Sequence, residues 1–237
     1  LFHNVLSLVQ SWYFAQTAVI NPIARKFPYD QKLTGELIKY IVAHEVGHTL
    51  GLRHNFGASS TYPVEKLRDR EFVKKHGHTA SIMDYARMNY IAQPEDKIDT
   101  KDLIPGIGMY DEFAIEWGYR YFPGMKLNEE TAYLRKWVSE KYKEDPKYWF
   151  GTELDMSDPR WQSEDLGDNS MKASEYGIKN LKYILSNLKD WIKDDPDFSH
   201  RQALYSQILN QYYRYLRNVM YNIGGIYLTE VKEGTPG

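Results

Sequence analysis

The chain has no cysteine. A disulfide framework is thereby excluded, and so is a metal site built on thiolates. No run of about 18 apolar residues exists, so no membrane span is expected. Neither sign of charge is in excess. Thirty Lys and Arg stand against 32 Asp and Glu, and the net charge of −2 gives no reason to expect nucleic acid as a partner. Internal repeats and low-complexity tracts are also missing. The opening LFHNVLSLVQSW carries neither a basic leader nor a small-residue cleavage site, so it does not read as a signal peptide. It begins with Leu1 rather than methionine, and the expectation is a piece of a longer protein whose export signal lies upstream.

What is present is an ordinary globular balance. The 237 residues are 42% hydrophobic and 26% charged, enough for one large domain or two small ones. Aromatics are plentiful, with 20 tyrosines and 6 tryptophans. Most read as core and half-buried surface, and some are available to line a peptide groove.

The most specific feature is HEVGHTLGLRH, which sets His44, Glu45, His48, Gly51 and His54 in the order His-Glu-x-x-His-x-x-Gly-x-x-His. The short His-Glu-x-x-His part arises by accident in roughly one chain in a hundred of this size, and the added glycine and histidine make the accident several hundred times rarer. The spacing therefore warrants a chemical reading. Leu37, Ile38, Ile41, Val42 and Val46 recur at helical intervals, so 33–52 reads as a helix, with Thr34 or Asp30 as its cap. On a helix His44 and His48 lie one turn apart, with Cβ atoms about 5–6 Å from each other. Their ring nitrogens can then meet one ion at about 2.0–2.1 Å. His54 cannot join them on a continuing helix, because it would lie about 9 Å further along the axis. Gly51 can adopt the left-handed conformation that ends a helix and turns the chain back. Three histidines then fill three tetrahedral positions of Zn2+ and leave the fourth open to water, the pattern of a catalytic zinc site. Glu45 points about a quarter-turn from His44, which suits it to take a proton from that water.

HEVGHTLGLRH followed by SIMDY resembles the metzincin clan of zinc metallopeptidases. Further stretches (QSWYFAQTAVINP, HEVGHTLGLRHNFGAS, SIMDYARMNYIAQPED, YDEFAIEWGYRYFP and EDLGDNSMKASEYGI) resemble one bacterial family of large, exported, metzincin-like zinc peptidases. The resemblance implies that Met83 forms a hydrophobic floor beneath the zinc ligands. It implies a zinc-ligand or oxyanion-donor role for Tyr85, two residues after that methionine. It further implies protein or peptide substrates and an exported location, whether periplasmic, cell-surface or secreted. Metzincins place a twisted sheet before the zinc helix. The segment ahead of His44 is too short for one and holds a helix near 6–18, so the upstream part of the same longer chain is an expected partner. The rival reading is a noncatalytic or structural zinc-binding scaffold module within a larger protein.

His76 and His78 lie in the polar stretch KKHGHTAS and read as two exposed loop histidines or a second metal site. His3 and His200 have no visible partner in the sequence. Residues 55–79 read as irregular with one short helix at 64–75, and 92–105 as an exposed connector. Helices are expected at 110–121 and 128–143, a loop over 145–168, and two long amphipathic helices up to Ile192 and Ile223. Residues 226–231 read as one strand. The expected fold is mainly α: the helical C-terminal part of a metzincin-like catalytic domain with little sheet, plus a helical extension. Residues 1–124 are expected to form the zinc-binding region, with 125–237 packed on it.

Overall fold

The computed structural model describes residues 3–155 and 157–229. Among the described residues there are seven α-helices: α1 (His3–Thr17), α2 (Gln31–Thr49), α3 (Arg70–His76), α4 (Met109–Tyr119), α5 (Leu127–Glu144), α6 (Ser170–Trp191) and α7 (Ser199–Met220). Single 3-10 turns join several of them, and no strand occurs among the described residues. The mainly helical expectation therefore holds. The strand expected at 226–231 does not form over its described part, while residues 230 and 231 lie outside the described residues. The reason is polar. Ile226 N–H donates to Ser157 O (3.1 Å) and Leu228 N–H to Asp158 Oδ2 (2.8 Å), so the segment is held by a loop rather than by a ladder.

The core is gathered around α1. Tyr13, Phe14, Ala15 and Ala18 are buried in one cluster with Leu181, Ile184, Leu204, Ile208 and Tyr215 of the last two helices. α6 and α7 run antiparallel, with Ser174 Oγ donating to Tyr215 O at 3.0 Å near the start of one and the end of the other. Gly177 makes that approach possible, since a Cβ there would lie 2.6 Å from the Tyr215 ring. Asn180 of α6 donates to both Tyr90 O and Ala92 O (3.0 and 2.9 Å), which ties the helix pair to the segment after Met83.

Two expected loops are differently built. The 64–75 helix is a 3-10 turn, Val64–Arg68, followed by α3, because Asp69 interrupts the run and caps α3 by accepting from Glu71 and Phe72 N–H. The 92–105 stretch is no exposed connector. Ile98 and Leu103 pack with Val73 and Ala92 in a small second core.

Candidate metal centre

Asp30 starts α2 by accepting from Leu33 N–H (2.8 Å). The helix ends where the sequence places a glycine. Gly51 takes φ +84°, Gly51 N–H donates to His48 O and Leu52 N–H to Gly47 O, both at 3.0 Å. These two bonds form a Schellman end, which needs the left-handed residue. The chain then turns back and brings His54 to His44 and His48. One nitrogen from each ring lies within 4.8 Å of the others. Ring centroids stand 4.9, 5.3 and 4.7 Å apart for the pairs 44–48, 44–54 and 48–54.

The other nitrogen of each ring is occupied. His44 Nδ1 bonds Ile82 O (2.8 Å), His48 Nδ1 bonds Leu52 O (3.0 Å), and His54 Nδ1 bonds Glu153 Oε2. A carbonyl only accepts, so Nδ1 of His44 and of His48 must carry the proton. Nε2 is then the lone-pair nitrogen, as a metal requires. His54 Nε2 is buried with no hydrogen-bond partner among the described residues. A buried, unpaired acceptor costs free energy unless something satisfies it. The donor set thus fits one divalent ion of the zinc type. Burial holds the His44 imidazole below its usual pKa, against the opposing pull of its bond to Ile82 O, which favours the neutral, metal-binding form.

The turn around Met83 packs against α2 and the His54 loop, with Asn55 N–H donating to Met83 O (3.2 Å). Met83 is fully buried, and a Cβ on Gly47 of α2 would sit 2.3 Å from its sulfur. Asp111, in the first turn of α4, shapes this turn. Its carboxylate accepts from Ile82 N–H (2.7 Å), Gly108 N–H (2.7 Å) and Ser81 Oγ–H (2.5 Å). The carbonyl that orients His44 belongs to the same Ile82.

The Tyr85 ring centroid is 5.3 Å from that of His44 and 4.6 Å from that of His54. Burial raises the Tyr85 pKa, partly offset by the positive charge of Arg87. Glu45 is exposed on α2 next to His44, and its negative charge acts on both His44 and Tyr85. His76 and His78 join no metal group among the described residues. His78 is buried rather than exposed, donates Nε2–H to Arg87 O (3.0 Å), and is pushed down to about pKa 4 by that burial. His76 rests against Phe72 and His200 against Phe27.

Sequence reasoning missed Glu153, Asn55 and Asp111. Asn55 and Asp111 are ordinary polar residues in the sequence, and Glu153 stands in a stretch read only as a loop. A cavity of about 540 Å³ adjoins the His54 loop, lined by Arg53, Tyr110, Phe113, Trp117, Leu134 and Phe150 among others.

The model of the Met-zincin family matches residues 26–237. No curated protein and no solved structure matches the chain. With most of its length covered by that match, and with three histidines gathered at one point, the chain belongs to the Met-zincin family.

Proposed function

We propose that the protein is a zinc-dependent endopeptidase, with His44, His48 and His54 as metal ligands. The observation that carries this reading is the shared focus of three imidazoles whose Nδ1 atoms all bond outward. Bound zinc would supply Lewis acidity and a water of pKa near 7. Glu45 accepts the proton of the attacking water and returns it to the leaving amine. Its exposure on α2 supports access to substrate. Tyr85 donates a hydrogen bond to the oxyanion formed on the scissile carbonyl, a role supported by its position beside His44 and His54. The aromatic cavity next to Arg53 accepts an apolar side chain of a peptide substrate.

Residues 1–124 form the zinc-binding region, and 125–237 a helical extension packed on it. Ile38, Val42, Val46 and Leu50 form an exposed apolar stripe along α2. This stripe suits the upstream sheet that the metzincin resemblance implies. The exported location is part of the same proposal, and no helix among the described residues is long and apolar enough to cross a membrane.

Glu45→Gln tests the enzyme against a structural zinc module. The variant is expected to keep its zinc and lose peptide cleavage by at least about 100-fold, the scale of general acid–base catalysis. Tyr85→Phe is expected to lower turnover without weakening zinc binding. Cleavage that survives Glu45→Gln unchanged comes from elsewhere, and the three-histidine site is then a structural module.

A further inference from the structure

His44 and His48 are held by a helix, and their Nδ1 atoms bond to main-chain carbonyls close by. His54 has no helix to hold it. Its ring is aimed instead by a carboxylate 99 positions further along the chain, through the bond from Nδ1 to Glu153 Oε2. Arg53 occupies the other oxygen of that carboxylate, donating from Nε (3.3 Å) and Nη2 (3.1 Å) to Oε1. Asn55 anchors the same loop from the other side. Its Nδ2 donates to Trp149 O (3.0 Å), and its Oδ1 accepts from Gly151 N–H (2.8 Å). Phe56 N–H donates to Gly151 O (2.9 Å). Gly57 and Gly151 must be glycines for this contact, because a Cβ on Gly57 would meet Gly151 N at 2.8 Å. Arg53, His54 and Asn55, three consecutive residues, therefore all bond to the segment 149–153.

We infer that Glu153 is the positioning residue of the metal centre, and that the loop around it is present to aim His54. This rests on the zinc reading of the three histidines. An ionised carboxylate accepts only, so it forces the proton onto Nδ1 of His54 and leaves Nε2 bare for the ion. It also makes the ring a stronger donor, as outer carboxylates do for metal-bound histidines. Arg53 holds the carboxylate so that one oxygen stays on His54. Glu153 lies on the far side of the ring from Nε2 and is not a ligand itself. One of three ligands is thereby placed under the control of a region that carries no ligand of its own.

Two readouts on the full chain test this. The first is zinc affinity by competition with a chromophoric chelator. Glu153→Ala is expected to bind zinc about 10–100-fold more weakly, the usual cost of losing such a partner. Glu153→Gln, which keeps the shape without the charge, should fall between, and Arg53→Ala should show a smaller loss. The second is the His54 tautomer in zinc-free protein at about pH 8, read from imidazole ¹⁵N shifts. Wild type is expected to hold the proton on Nδ1, and Glu153→Ala to lose that preference. A purely structural role for Glu153 would leave the tautomer where it was. Unchanged zinc affinity and an unchanged tautomer in the alanine variant would overturn the inference while the zinc reading stands. Failure of wild type to take up zinc would instead defeat the zinc reading, and the tautomer would still decide what Glu153 does. Should Glu153→Ala not fold, Glu153→Gln and Arg53→Ala carry the same two readouts.

Discussion

Gly47 faces Met83 with no room for a Cβ, which would lie 2.3 Å from the sulfur. Gly47→Ala forces the buried Met83 side chain to repack, at a cost of about 1–3 kcal/mol for overpacking. A lower melting temperature together with weaker zinc binding is expected in a thermal melt and a chelator competition. A second residue-scale effect concerns charge. Asp84 and Asp165 are both buried, and Ser59 Oγ donates to Asp165 (2.8 Å). Burial raises the Asp165 pKa to about 8, and burial together with Asp165 raises that of Asp84. A raised carboxyl stabilises the fold while protonated, so its contribution is lost as pH rises toward the folded pKa. Buried His44 and His78, both depressed, act in the opposite sense, but only below the ordinary imidazole pKa of about 6.5. The clean window therefore runs from about pH 6.5 to 8. Over it, zinc-free protein should lose stability with rising pH, by up to ~1.4 kcal/mol per unit for each proton released. Asp165→Asn should flatten that slope in urea titrations, and an equal slope in the variant would assign the effect elsewhere. At this scale the cluster of three histidines was legible because helical spacing and one glycine fix it. Glu153 was not, since no periodicity links a loop residue to a histidine so distant in the chain.

At the scale of elements, α2 shows where pattern reading goes astray. Its helix was legible from Leu37, Ile38, Ile41, Val42 and Val46, yet only Leu37 of these is buried. The face turned inward carries Leu37, Tyr40, His44 and Gly47. The helix buries His44 and Gly47, the latter against Met83, and it leaves aliphatic side chains outside. Hydrophobicity alone therefore pointed to the wrong side. The 92–105 stretch failed for a related reason. Its prolines and charges read as solvent-exposed, while Ile98 and Leu103 are enough to seat it on Val73. The link between α4 and α2 was equally hidden. Asp111 of α4 accepts three hydrogen bonds from 81, 82 and 108, and Ile82 O in turn accepts from His44. Asp111→Ala leaves those donors bare. A loss of roughly 2–4 kcal/mol in stability is expected, given about 1–3 kcal/mol per unsatisfied buried group and partial rescue by water. Zinc affinity should fall with it, since the carbonyl that aims His44 loses its support. Stability lost with zinc affinity intact would separate the turn from the ligand.

Across the whole molecule, one core joins α1 to α6 and α7, and the site rests on top of it through the segment after Met83. The mainly helical class was readable from the apolar stripes of α6 and α7. The interior role of 145–168 was not, because its Asp, Pro and Gly content is that of a surface loop. In the fold, Trp161, Gln162 and Leu166 are buried, and the same stretch delivers Glu153. Distant parts of the chain thus converge on the three imidazoles. X-ray absorption at the zinc edge, on protein loaded with one equivalent of zinc, examines that convergence directly. The spectrum should show three imidazole nitrogens at about 2.0–2.1 Å with the scattering pattern of the rings, plus one oxygen ligand. Fewer than three imidazoles around the ion, or no zinc retained after gel filtration, would contradict it.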